Sequence, residues 1–174
     1  GACSAAISAC EKGLRWQCAL GLLRGFPSRR LVPETITYNA AVSACEKGEQ
    51  WEMALAVVGE MLRRGYELNI ITYNAAASAC DKCGQWQCAL RLLVDMESQD
   101  IPPETIAHNC AISACSKGKQ WRWVLALLER MLQRELEPDL ITYNTVMSTG
   151  ELRPWAPGLL GEMHLQLAEL LEVC

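Results

Sequence analysis

Histidine is nearly absent from this chain, with only His108 and His164 among 174 residues, and phenylalanine occurs once. Neither histidine stands in an HxE arrangement followed by PCxxC. No glycine-rich loop of the phosphate-cradling kind occurs, and no Ser, His and Asp stand at a spacing that would bring them together. Enzymatic chemistry, a catalytic residue, a metal and a cofactor are therefore not expected. Positive charge in excess is missing as well. A net charge of −4 gives no bulk attraction to nucleic acid or to an anionic membrane surface, so contact with a polyanion must come from a local arrangement. Long apolar runs are missing too, because charged or polar residues interrupt every stretch within a few residues. A soluble chain without a membrane partner is expected.

What is present is repetition. The stretch TITYNAAVSACEKGEQWEMALAVVGE, residues 35–60, largely recurs in register further along. Asn39, Asn74, Asn109 and Asn144 stand 35 residues apart, as do Trp16, Trp51, Trp86 and Trp121. The column of Cys10, Cys45, Cys80 and Cys115 and the column of Lys12, Lys47, Lys82 and Lys117 keep the same step. Four independent columns at one period imply an all-α solenoid of helix-turn-helix units, in which each unit buries its apolar face against its neighbours. The expected units are 1–34, incomplete and diverged; 35–69, 70–104 and 105–139, complete; and 140–174, a diverged last repeat or a pair of capping helices. Gly1 is not an initiator Met and falls at the second place of a unit, so the chain is expected to start inside an array, and no targeting segment is visible.

Within a unit, Tyr38, Ala41, Val42 and Cys45 follow i, i+3, i+4, i+7 and predict the apolar face of a first helix. Lys47, Gly48 and Glu49 predict a turn. Trp51, Ala54, Leu55, Val58 and Met61 predict a second helix stopping near Gly65, with equivalent pairs from Ile71 to Met96 and from Ile106 to Met131. In the first unit Arg24, Gly25, Phe26 and Pro27 interrupt the pattern, so its second helix should be shorter. Asn69 and Asp139 are good N-caps, whereas Glu34 and Glu104 are poor ones followed by Thr35 and Thr105. The cap is therefore expected to move by one residue, onto the threonines, in alternate units. Pro154 and Pro157 delay the last helix to Pro157 or beyond. The Leu-rich stretch from Leu159 to Leu171 then either caps the array or forms half of a contact with further chain, and self-association through exposed array ends is expected.

Ten cysteines could signal a disulfide framework. The four in the repeated column lie about one unit apart, beyond the roughly 7 Å that a disulfide spans between Cα atoms. They read as small core residues in a reducing compartment. Cys80 and Cys83 form a lone CxxC with no second pair and no nearby His, too little for a zinc site. His108, at a Tyr position, reads as a core contact.

The opposite face of each first helix carries the candidate site. Ile36, Asn39, Ser43 and Lys47 share it in one unit, Ile71, Asn74, Ser78 and Lys82 in the next, and Ile106, Asn109, Ser113 and Lys117 in the third. Asn is a poor helix former, and helix packing does not require it four times over. An amide donates and accepts, which suits base edges; an aliphatic side chain offers a flat contact; Lys offers charge to a phosphate. Glu11, Glu46 and Asp81, each just before the Lys of its unit, would oppose that phosphate. The competing reading is local backbone bonding by Asn and a solvated Lys at a helix end.

The 35-residue period, with ITYNAAVSACEKGEQWEMALAVVGEM followed by Gly and, in other units, by PE or PD, resembles the pentatricopeptide repeat family. The resemblance runs from Gly1 to about Met147. The tetratricopeptide pattern of Trp, Leu-Gly and Tyr in the first helix is absent. The resemblance implies a right-handed superhelix that binds single-stranded RNA, one base per repeat, in a chloroplast or mitochondrion. It implies that the residue after TY and the last residue of the unit select the base. Those positions are Ser4 with Glu34, Asn39 with Asn69, Asn74 with Glu104, Asn109 with Asp139, and Asn144 unpaired. It further implies that Ile36, Ile71, Ile106 and Ile141 sandwich bases and that Lys12, Lys47, Lys82 and Lys117 face phosphates. On these pairs the unit 35–69 would favour C and the unit 105–139 would favour U. A protein-binding scaffold, with protein partners along the same surface, is the alternative.

Overall fold

The computed structural model describes residues 2–26 and 33–149. Among the described residues there are nine helices and no strand: α1 (Ala2–Lys12), α2 (Trp16–Arg24), α3 (Thr35–Lys47), α4 (Trp51–Arg63), α5 (Ile70–Lys82), α6 (Trp86–Ser98), α7 (Thr105–Lys117), α8 (Trp121–Gln133) and α9 (Leu140–Ser148). The helix expected between Leu159 and Leu171 lies outside the described residues, as does the side chain of Ser4. No helix among the described residues is long and apolar enough to cross a membrane.

The two kinds of helix differ because they are buried differently. The odd-numbered helices stack on one another in sequence, and each even-numbered helix packs both on the first helix of its own unit and on that of the next. A first helix is thus enclosed on several sides. Thr37, Tyr38, Ala40, Ala41, Val42, Ala44 and Cys45 of α3 are all buried. Small residues on those faces let the helices approach closely. A second helix fully buries one stripe only, Ala54, Val57, Val58 and Met61 in α4, with Trp51, Met53 and Leu55 half-buried beside it. Each fully buried aliphatic side chain of this kind contributes about 1.5–3 kcal/mol. The α2 helix has nine residues where α4 has thirteen.

The turn inside each unit is built on the cysteine column. Gln50 N–H donates to the Cys45 carbonyl at 2.9 Å, and Gln85 and Gln120 do the same to Cys80 and Cys115 at 2.8 Å. These six-to-one bonds require a residue in the left-handed region, filled by Leu14, Glu49, Gly84 and Lys119 with φ of 56°, 55°, 65° and 54°. The residue before it is Gly48 or Gly118 for another reason: the tryptophan of the preceding unit sits there. A Cβ on Gly48 would fall 2.4 Å from the Trp16 ring, and one on Gly118 would fall 2.4 Å from the Trp86 ring. Cys83 occupies the same column in the intervening unit and turns its thiol to the Glu49 carbonyl at 3.2 Å. Trp16 and Trp86 therefore each join their unit to the next.

The expected cap shift does not occur. The first helices α3, α5, α7 and α9 begin at the same place in the repeat, with Glu34, Asn69, Glu104 and Asp139 as N-caps in extended conformation. Asn69 and Asp139 accept from Thr72 N–H and Thr142 N–H at 3.0 and 2.8 Å. Glu34 and Glu104 make no such bond, and Thr35 and Thr105 lie already inside their helices. Stacking of first helix on first helix sets one register for all units. That contact outweighs a cap bond worth about 1 kcal/mol, so the alternate helices simply go without a side-chain cap.

The cysteines among the described residues are free thiols. Cys45, Cys80 and Cys115 are buried, and burial pushes Cys45 up to about 11 and Cys80 and Cys115 up to about 12. None is a thiolate near neutrality.

Candidate functional site

Four isoleucines stand in solvent along one face of the array. Ile36, Ile71, Ile106 and Ile141 are 69%, 58%, 56% and 65% exposed, the same place in four successive units. Each sits one turn before the asparagine of its unit, so apolar and amide columns run side by side.

The structure joins two of the sequence-predicted pairs. Asn39 Nδ2 donates to Asn69 Oδ1 at 3.4 Å, and Asn109 Nδ2 donates to Asp139 Oδ2 at 3.0 Å. A residue that sequence reasoning missed completes each pair. The Thr72 hydroxyl lies 2.5 Å from Asn39 Oδ1 and 3.0 Å from Asn69 Oδ1. The Thr142 hydroxyl lies 2.5 Å from Asn109 Oδ1 and 2.9 Å from Asp139 Oδ1. Both threonines belong to the first helix of the following unit. Their signal in the sequence was the Thr of the recurrent TYN, which reads as ordinary helix until two units are placed together. Partial burial pushes the Asp139 carboxyl up, but bonds from the Thr142 N–H, the Thr142 hydroxyl and Asn109 outweigh it and hold the group below the usual carboxylate range. It is an anion that only accepts.

The third pair is not joined. Asn74 and Glu104 share no hydrogen bond, and the place of the buttressing threonine is taken by Ala107. Asn74 Oδ1 is buried there with no partner among the described residues. Asn144 is exposed on α9.

The lysine column is engaged. Lys47 pairs with Glu11 at 2.9 Å, Lys82 with Glu46 at 2.6 Å and Lys117 with Asp81 at 2.9 Å, each acid belonging to the preceding unit. Glu46 also accepts from the Ser78 hydroxyl at 3.0 Å. The acids read as opponents of a phosphate beside their own lysines are partners of the next lysine along. Such exposed pairs are worth about 0–1 kcal/mol each, so an incoming phosphate competes against a modest loss. Lys12 makes no ion pair among the described residues.

The His108 ring is buried at the position of Tyr38, Tyr73 and Tyr143. Its Nδ1 lies 3.1 Å from the Glu104 carbonyl, and its Nε2 is buried without a partner among the described residues. It is a core residue of the unit 105–139, away from the exposed isoleucine face.

Comparison with known proteins decides the family. Models described as PPR repeat family, PPR repeat and Pentatricopeptide repeat domain match residues 33–82, 71–101 and 91–150, an unbroken run between them. The chain belongs to the pentatricopeptide repeat family. Its fold is similar to that of the crystal structure of the pentatricopeptide repeat protein PPR10 from maize, with a TM-score of 0.73 and 24% identity over 94% of this chain and 24% of that one. PPR10 in complex with an 18-nucleotide psaJ RNA element gives 0.74 and 24% over 91% of this chain and 24% of the other. The PPR domain of Arabidopsis thaliana protein-only RNase P 1, in complex with tRNA, gives 0.81 at 13% identity over 95% of this chain and 86% of that domain. These identities speak for the fold. The chain spans about a quarter of the length of PPR10, 24%. No curated protein matches it.

Proposed function

We propose that this pentatricopeptide repeat array binds single-stranded RNA, one base to a unit, with the asparagine and the last residue of the unit reading the base edge between exposed isoleucines. The observation that carries this reading is the convergence of Asn39 with Asn69 and of Asn109 with Asp139 beside the isoleucine column. Each joined pair has the amide oxygen of its first asparagine occupied by a threonine and one N–H given to the last residue of the unit, which leaves that asparagine one N–H for a base. On the family pattern the unit 35–69 takes C and the unit 105–139 takes U. The pairs Ser4 with Glu34 and Asn74 with Glu104 are assigned no base, and Lys12, Lys47, Lys82 and Lys117 are assigned to phosphates. The organelle setting and a role in RNA processing belong to the same proposal.

The test is fluorescence anisotropy of the purified chain with short single-stranded RNAs, varying C and U at two positions two nucleotides apart. Selective binding is expected, and Asn39→Ala or Asn109→Ala should abolish selectivity at one position each. Binding that ignores both substitutions would overturn the reading.

A second reading, a protein-binding scaffold, is favoured by the acid partners of the lysines and the net charge of −4. Asp81→Asn separates the two. It frees Lys117, so RNA affinity should rise several-fold, and the dependence of log affinity on log salt should steepen by about 0.7, the value for one further phosphate on a single strand. Unchanged RNA affinity with weaker capture of a basic peptide would support the scaffold.

A further inference from the structure

The base-selecting asparagines are not alike in what surrounds them, and the difference lies in the next unit. An amide has a donor end and an acceptor end of nearly the same shape, so a reader built from asparagine discriminates only if something holds its orientation. In two units something does. The Thr72 hydroxyl, itself buried, can donate to Asn39 Oδ1 at 2.5 Å. The Thr142 hydroxyl, also buried, can donate to Asn109 Oδ1 at 2.5 Å. Turned over, the amide could still donate from Nδ2 to the hydroxyl oxygen, but its Oδ1 would then face the Asn69 or Asp139 oxygen, so the Nδ2 bond to that oxygen and the hydroxyl's bond to Oδ1 would both be lost. The amide oxygen is thereby turned inward and the remaining N–H outward.

In the unit 70–104 the same site holds Ala107, buried and without a polar side-chain atom. The two consequences expected of such a loss are both present. Asn74 Oδ1 is buried without a partner among the described residues, and Asn74 makes no bond to Glu104, the last residue of its unit. A buried, unsatisfied amide oxygen gains by turning outward, so neither orientation of Asn74 is enforced.

Building on the RNA-binding reading, we propose that the threonine at the third place of each following first helix is a positioning residue that sets which end of the preceding asparagine faces a base, and that Ala107 makes the unit 70–104 the least selective of the three. Base choice in one unit is then partly written in the sequence of the next.

Two measurements test this. The first needs no RNA. In NMR spectra of the whole chain, the side-chain amide protons of Asn39 and Asn109 should exchange slowly with solvent and those of Asn74 faster, and Ala107→Thr should slow Asn74 alone. Equal exchange at all three, unmoved by Ala107→Thr, would overturn the positioning role whatever the chain binds. The second measures affinity for RNAs varied at the base facing each unit. Thr72→Val should reduce selectivity by a factor of about five at the base facing 35–69 only, as expected for loss of one hydrogen bond. Thr72→Ser, which keeps the hydroxyl, should retain it. Ala107→Thr should create selectivity of similar size at the base facing 70–104. If Thr72→Val and Thr72→Ser lose selectivity alike, or Ala107→Thr gains none, the proposal fails although the RNA-binding reading survives. If the wild-type chain binds no RNA, that reading fails and the assignment of selectivity falls with it.

Discussion

Tyr38→Ala should destabilise the array by about 3–5 kcal/mol, the usual cost of emptying a fully buried aromatic site. Tyr38 has no exposed surface, packs its ring 5.1 Å from that of Tyr66 at a tilt of 53°, and lies at the contact between α3 and α4. Tyr66 in turn donates to the Pro33 carbonyl at 2.6 Å, so the cavity would open beside the connection to the preceding unit. The phenol itself matters less. Its bond to Glu60 Oε1 is long, at 3.4 Å, and Tyr38→Phe should cost about 1 kcal/mol or less. In a solenoid stability is carried by nearest-neighbour contacts. The alanine variant should therefore lose hydrogen-exchange protection first in α3 and α4, with α7 and α8 least affected. Urea denaturation with exchange mapping checks this. A loss equal to that of Tyr38→Phe, or spread evenly over all units, would contradict it.

Acid should loosen the array through His108. Burial holds the imidazole below its ordinary value. Arg134 and Arg130 push the same way, while the Glu104 carbonyl and Glu97 oppose them. Arg130 pairs with Glu97, and Arg134 lies 2.7 Å from Glu97 Oε1, so the ring faces two cations that share one anion. The sign follows from proton counts. The unfolded chain, with a histidine near 6.5, binds a proton that the folded chain refuses. The stabilisation is complete above about pH 6.5 and is lost as pH falls below it, at up to about 1.4 kcal/mol per pH unit. His108→Phe keeps an aromatic ring in the site and should flatten the curve. Urea midpoints of both proteins between about pH 5 and 7.5 decide it; parallel curves would exclude His108 as the origin.

The helices could be read from the sequence because their apolar columns are local. Tyr38, Ala41, Val42 and Cys45 share a face by helical geometry alone, and they are buried. The turn at Gly48 and Glu49 was legible for the same reason. What escaped was everything that depends on how one unit is rotated against the next. The period tells which residues share a column, not which member of one column meets which member of another. So Glu46 looked like a neighbour of Lys47, whereas it contacts Lys82. Thr72 looked like helix interior, whereas it reaches Asn39 in the unit before. Thr35 and Thr105 looked like caps because cap preference is a local rule, and stacking overrode it. The columns of the candidate site were visible in advance, and the bonds between them were not.

The lysine–acid pairs follow a rule of assembly. Each acid reaches forward to a lysine 36 residues later, so the units 1–34, 35–69 and 70–104 each present an anion to a cation of the unit that follows, whereas the unit 105–139 carries Ser116 in the place of the acid. A joint of this kind has a direction, like a coupling with a hook and an eye. Any unit that carries both halves can follow any other, and its insertion or removal leaves the joints on either side matched. The last residue of a unit can then change from unit to unit, as Asn69, Glu104 and Asp139 do, while the coupling stays the same. The three joints formed this way are alike, and a unit that carries both halves fits between any two of them.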